Sequence, residues 1–193
     1  VDFVDIAPKT ANMSPELLQE KLVLAKHSGN LPKIVIPVHL SGESCDMAAI
    51  SKLANEYNFK IIEDASHAIG GEYQGKRIGS CEYSDITIFS FHPVKIITSG
   101  EGGAALTNCR ELDQRLKLLR SHGITRDKDL MHYQRDDEWN YEQVELGFNY
   151  RMTDIHAALG LSQLTRLSEY VDKRHEIAEI YDQEFNDNNI RKP

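Results

Sequence analysis

Two hydrophobic periods alternate along this chain. Ile34-Val-Ile-Pro-Val-His-Leu40, Phe59-Lys-Ile-Ile-Glu63, Ile86-Thr-Ile-Phe-Ser-Phe91 and Gly103-Ala-Ala-Leu-Thr107 are short, mostly apolar runs and predict buried strands. Between the first two, Asp46 is an N-cap and Ile50, Leu53, Ala54 and Tyr57 recur at helical spacing. Ser14-Pro15-Glu16 supplies a cap, a first-turn proline and an acid for a helix reaching about Lys26. Leu112, Leu116 and Leu119 mark another helix. The stretch from Thr153 to about Phe185 is helical, with Ile155, Leu159, Leu164 and Leu167 on its apolar side. Short strands alternating with helices predict an α/β domain with a largely parallel sheet.

The ends read as cut from a longer pattern. Val1 to Ile6 resembles a strand whose predecessors are absent, and Asn186 to Pro193 resembles a helix exit leading onward. The expectation is the middle of a longer protein. Residues 124–147 are polar, aromatic and weakly periodic, which predicts a long functional loop.

Composition narrows the class. The 193 residues are 40% hydrophobic and 27% charged, as in an ordinary soluble domain with its own core. A net charge of −8 argues against a nucleic-acid surface, although backbone N–H groups and a few cations can still hold a phosphate-bearing small molecule. Cys45, Cys81 and Cys109 are widely spaced, which fits reduced thiols in the cytoplasm. No run reaches the roughly 18 apolar residues of a membrane span.

In parallel sheets, functional groups collect at the carboxyl ends of strands. One run here ends at His39, a second at Glu63-Asp64-Ala-Ser-His67, and a third at Ser90-Phe-His92-Pro-Val-Lys95. Lys95 sits among apolar residues before Gly100-Glu-Gly-Gly103. Desolvation lowers a lysine pKa and makes its amine a nucleophile able to form a Schiff base. Histidines at several strand ends raise the question of a metal centre, but no H-x-H or H-E-x-x-H spacing accompanies them. No metal is expected.

Three ordered motifs, Asp64-Ala-Ser-His-Ala-Ile-Gly70, Ser90-Phe-His-Pro-Val-Lys95 with Gly100-Glu-Gly-Gly103, and Gly147-Phe-Asn-Tyr-Arg-Met152, resemble the DegT/DnrJ family of pyridoxal-phosphate-dependent nucleotide-sugar aminotransferases. Pro37-Val-His-Leu-Ser-Gly42 and the later Arg174-x-x-x-Ala178-x-x-Tyr181 match as well, so the resemblance covers nearly the whole chain. It implies the three-layer, mostly parallel sheet of the fold type I large domain, incomplete at its N-terminus and followed by long helices. Residues 1–165 would belong to the cofactor-binding large domain, and 166–193 would lead toward an absent small domain. The family's phosphate loop and ring-stacking aromatic would precede the region covered.

The same resemblance assigns roles. Lys95 would link to the aldehyde of pyridoxal 5'-phosphate as a Schiff base and shuttle protons. Asp64 would hold the pyridinium nitrogen protonated, giving the ring its electron-sink character. His67 would lie against the ring or its phenolic oxygen, Ser90 would donate to the phosphate, and Asn149 would reach the phosphate of a neighbouring subunit's cofactor, making a homodimer with shared sites. Gly100, Gly102 and Gly103 would serve backbone conformation beside the site. His39 and His92 are the candidate substrate contacts. The branch most resembled aminates C4 of a UDP-linked 4-keto-6-deoxy-N-acetylhexosamine with glutamate as donor, for surface or flagellar glycans. The competing readings are another nucleotide-linked keto-sugar, a dehydratase, and a non-catalytic regulator. The dehydratase branch carries histidine in place of the lysine, and a regulator is expected to lack Lys95 or Asp64; both are present.

Overall fold

The computed structural model describes residues 1–133, 137 and 139–185. The expected helix exit at 186–193, and Gln134, Arg135, Asp136 and Glu138 of the expected long loop, lie outside the described residues. In chain order the elements are α1 (Pro15–Ser28), β1 (Ile34–Val35), α2 (Met47–Tyr57), β2 (Lys60–Asp64), β3 (Glu72–Tyr73), β4 (Lys76–Arg77), β5 (Ile86–Ser90) and β6 (Gly103–Leu106). Then come α3 (Arg110–Leu119), β7 (Ile124–Thr125), β8 (Glu142–Gln143), α4 (Asp154–Leu164) and α5 (Leu167–Glu184).

The local signals explain the helix ends. Ser14 Oγ accepts from the Leu17 N–H at 3.2 Å and Gly29, at φ 72°, closes α1 in the left-handed conformation that suits glycine. Asp46 caps α2 through the Ala49 N–H at 3.1 Å. The main sheet has the order β1-β2-β5-β6. The first three strands are parallel, with Val35 opposite Ile61 and Asp64 opposite Ile88; β6 runs antiparallel, with Gly103 opposite Ser90.

Helices α1 and α2 cover one face of this sheet. Leu18 and Leu22 meet Met47, Ile50, Leu53 and Tyr57 over Val35, Phe59 and Ile61. Each fully buried Leu or Ile in such a core contributes about 1.5–3 kcal/mol. The opposite face is open along its first strands: Ile34, Ile36, Val38 and Ile88 are all exposed.

Several expectations change. Val1 to Ile6 forms no strand, only one bridge between Ile6 and Met13, because the chain turns at once through Ala7 to Asn12. The run at 34–40 yields two ladder residues, since Pro37 lacks an N–H; pairing resumes as a single bridge between Val38 and Asp64. The helical stretch expected from Thr153 to about Phe185 is found as two helices, α4 and α5. At the break, the Thr165 hydroxyl donates to the Ser162 carbonyl at 2.8 Å, a local bond that competes with helix propagation. Its expected apolar stripe is not buried: Ile155, Leu159 and Leu164 are exposed. The 124–147 stretch is closed at its base by the antiparallel pair β7 and β8. Among the described residues, no helix is long and apolar enough to cross a membrane.

Candidate active site

Successive strand residues face opposite sides of a sheet. Thr87 Oγ1 donates to Glu63 Oε1 at 2.9 Å, so Glu63 on β2 and Thr87 on β5 share the helix-covered face. Asp64, Ile88 and Ser90 therefore share the open one. Asp64 is half-buried; one carboxylate oxygen accepts from the Ser66 N–H at 3.1 Å, and no bond to the other occurs among the described residues. The Ser90 hydroxyl oxygen accepts from the His92 N–H at 3.4 Å, which leaves its proton for another acceptor.

The segment after Ser90 is pinned at both ends and presents Lys95 between them. Phe91 N–H donates to the Gly102 carbonyl at 2.8 Å, and Ser99 N–H to the Phe91 carbonyl at 3.0 Å. Ile97 and Ser99 are buried. Within the turn, Lys95 N–H donates to the His92 carbonyl at 3.0 Å, and Val94 N–H to His92 Nδ1 at 3.4 Å. Lys95 is half-buried, and its ammonium has no hydrogen bond or ion pair among the described residues. The start of α4 packs on this loop: Met152 lies against Gly102, His156 against Gly100, and Gly160 against Ser99.

Lys95 opens into a pocket of about 440 Å³. His67 lines it from the turn after β2, as do Gly42 and, from α5, Val171, Arg174 and His175. Gly70 makes this approach of α5 possible, because a Cβ there would stand 2.8 Å from Val171 Cγ2. The structure thus brings Lys95 and His67 into one cavity and places Asp64 and Ser90 on one sheet face at the adjoining strand ends. His92 is exposed on the Lys95 turn itself.

Asn149 stands apart from that pocket. Its backbone bridges to Ser121, and it is exposed between Phe148 and Tyr150, whose rings stack with centroids 4.8 Å apart. Leu146, Phe148, Tyr150, Ile155 and Leu161, in the chain segments on either side of it, are all exposed apolar groups.

His39 is engaged elsewhere. It is 0% exposed, its Nδ1 accepts from the Cys45 N–H at 3.2 Å, and its Nε2 donates to Glu63 Oε2 at 2.7 Å. Neither ring nitrogen is left for a substrate, so we correct the expected role to a structural one. Glu63 also accepts from the Ser84 hydroxyl. Burial alone would raise the Glu63 carboxyl, but the bonds from His39, Ser84 and Thr87 outweigh it and hold it below the ordinary carboxylate value. Burial likewise pushes the Cys45 thiol up to about 11.

The family model described as the DegT/DnrJ/EryC1/StrS aminotransferase family matches residues 1–193. The chain belongs to this family. It is 44% identical over 188 residues to a UDP-4-amino-4,6-dideoxy-N-acetyl-beta-L-altrosamine transaminase of Campylobacter jejuni, a match covering 97% of this chain and 46% of that protein. Among solved structures it resembles Helicobacter pylori PseC, an aminotransferase involved in the biosynthesis of pseudoaminic acid, with a TM-score of 0.84 and 34% identity over 97% of this chain and 46% of that one. It also resembles a sugar aminotransferase described as putative, Spr1654 of Streptococcus pneumoniae in its PMP form, with a TM-score of 0.77 and 30% identity over 95% of this chain and 49% of that one. The chain spans about half the length of the relatives it matches.

Family members are pyridoxal-phosphate dependent, and the groups found here fit that cofactor. An uncommitted primary amine suits its aldehyde, a carboxylate with a free oxygen suits a protonated ring nitrogen, and a hydroxyl with a free proton suits its phosphate. The Ser84 and Thr87 partners of Glu63 are not singled out from sequence, nor are Val171 and His175 of the α5 wall; Arg174 and Ala178 enter only through the family motif, with no role attached. The α5 wall does have a signal there, since Val171, Arg174, His175 and Ala178 fall at helical spacing.

Proposed function

We propose that the whole protein carrying this chain is a pyridoxal-phosphate-dependent aminotransferase. It moves an amino group from glutamate to C4 of a UDP-linked 4-keto-6-deoxy-N-acetylhexosamine during glycan biosynthesis. The observation that carries this reading is the free amine of Lys95 at the mouth of a pocket beside the sheet face that holds Asp64 and Ser90. The substrate assignment rests on the 44% identity to the altrosamine transaminase.

When bound, the cofactor supplies an aldehyde for amine exchange and a ring that accepts electron density from the neighbouring carbon. Asp64 keeps the proton on the ring nitrogen, and without it that electron demand falls. Ser90 donates to the phosphate and orients it. Lys95 Nζ would hold the cofactor, and as a free amine it would move a proton to or from the substrate carbon. His67, which lines the same pocket as Lys95, would lie against the ring or its phenolic oxygen. His92, on the same turn as Lys95, contacts the substrate.

The protein works as a homodimer in this reading. Exposed Leu146, Phe148, Tyr150, Ile155 and Leu161 form an apolar surface that a second copy covers, which carries Asn149 to the partner's cofactor phosphate. The whole protein acts in the cytoplasm, where nucleotide sugars and glutamate are at hand.

The test is an assay of the whole protein with glutamate and a panel of UDP-, GDP- and dTDP-linked keto-sugars. Amination at C4 of the UDP-linked 4-keto-6-deoxy-N-acetylhexosamine is expected. Preference for a dTDP-linked 3-keto-sugar, or deoxygenation in place of amination, would overturn the substrate assignment.

A further inference from the structure

We propose that Arg174 and His175, on the face of α5 that walls the Lys95 pocket, bind an anionic group of the substrate, a diphosphate or a carboxylate. The inference rests on the aminotransferase reading of that pocket and adds to it the residues that hold the charged part of the substrate.

The first observation is the sorting of charge. The chain has 30 acidic residues against 22 Lys and Arg. Helix α5 is acidic too, with Glu169, Asp172, Glu176, Glu179, Asp182 and Glu184. None of these acids lines the pocket, nor does any other Asp or Glu; the ionisable side chains that do are Lys95, His67, Arg174 and His175. A cavity walled by basic nitrogens on an acidic protein is a place for a negative ligand.

The second observation is the state of Arg174. Its neighbour Lys173 is paired with Glu176 at 2.5 Å, on the side of the helix away from the pocket. Arg174 has no hydrogen bond or ion pair among the described residues. An unpaired guanidinium presents a planar fork of donors that matches two oxygens of a phosphate or carboxylate.

The third is that the wall is built to stand there. Gly70 removes a side chain that would keep α5 away, because a Cβ there would press on Val171 and Leu167. Val171, Arg174, His175 and Ala178 then present one helix face to the cavity that contains Lys95. A substrate reacting at Lys95 lies within the same cavity as the guanidinium.

The experiment uses the whole protein loaded with its cofactor. Calorimetry measures the binding of inorganic pyrophosphate, UDP and glutarate, and the two half-reactions give separate KM values for glutamate and for the keto-sugar. Arg174→Gln is expected to weaken at least one probe by about 10- to 100-fold, the range of a charge-assisted hydrogen bond, with cofactor absorbance unchanged. Loss confined to pyrophosphate, UDP and the keto-sugar half-reaction identifies the diphosphate as the bound group. Loss confined to glutarate and the glutamate half-reaction identifies the carboxylate. Lys173→Gln removes the same charge from the same helix outside the pocket and is expected to bind every probe as the wild type does. If the wild type aminates no sugar but Arg174→Gln still loses probe binding, the function assigned above fails and the anion site stands. Wild-type affinity for all probes in both Arg174→Gln and His175→Asn, or an equal loss in Lys173→Gln, would overturn the proposal.

Discussion

His39 donates from Nε2 to Glu63 across 2.7 Å inside the protein, one residue before the strand turns Asp64 to the opposite face. The Cys45 N–H on Nδ1 fixes the tautomer, so the imidazole is neutral and the carboxylate carries the charge. The His39 N–H also donates to the Asp64 carbonyl at 3.0 Å, tying the buried cluster to the backbone of the candidate catalytic acid.

Glu63→Ala is expected to cost about 3 kcal/mol, because it strands the His39, Ser84 and Thr87 donors in the interior. The pH dependence has a definite sign. The folded Glu63 pKa lies below its unfolded value, so its stabilisation is complete above the ordinary carboxylate pKa and is lost as pH falls through the folded value. Urea unfolding across acidic pH measures this. Glu63→Gln should flatten that part of the curve; an unchanged acid dependence would mean the charge contributes nothing.

Two of the three glycines after Lys95 are required for backbone conformation, with Gly100 at φ 83° and Gly102 at φ 147°. Gly103 is required for another reason: a Cβ there would stand 2.7 Å from the Phe89 carbonyl oxygen, a backbone atom that cannot swing aside. Gly103→Ala should therefore lower both stability and cofactor loading by displacing β6 from β5. Thermal unfolding together with cofactor absorbance checks this, and unaltered values in both would contradict it.

Thiol labelling reads the packing directly. Cys109 is exposed whereas Cys45 and Cys81 are buried, and burial holds Cys45 in its unreactive protonated form. One rapid modification at Cys109, followed by Cys45 and Cys81 only on unfolding, is the expected mass-spectrometric result. Rapid labelling of Cys45 in the native protein would contradict the buried cluster around His39.

Asp64→Asn should retain the fold, since the side chain is half-buried and the Ser66 N–H can bond to an amide oxygen as it does to the carboxylate. Turnover should fall by several orders of magnitude, because the amide no longer holds a proton on the ring nitrogen by charge. Stopped-flow half-reactions measure the loss. Near-normal turnover would show that another group holds that nitrogen.

Local chemistry makes the helix starts and central strands legible in the sequence. Ser14 and Asp46 act as caps, and β2 and β5 fall within a residue of the apolar runs. Lys95, His67, Asp64 and Ser90 are legible as strand-end groups, because a parallel sheet gathers such ends on one edge. His39 ends a run in the same way, and nothing local distinguishes a histidine turned inward to Glu63 from one facing a ligand. Val1 to Ile6 shows that an apolar run is a strand only where a partner strand meets it. Ile155 and Leu159 show the same for helices: their spacing is that of a buried stripe, yet both are exposed, because burial depends on what lies opposite. The Arg174 wall is hidden by distance in sequence, since only the fold returns α5 to Gly70.

Reduction of the whole protein with borohydride, followed by peptide mapping, tests the central claim most directly. It asks which lysine holds the cofactor. Lys95→Ala should bind no cofactor covalently and lose transamination, and in the wild type the pyridoxyl adduct is predicted on the peptide containing Lys95. An adduct on any other lysine, or on none, would contradict the account.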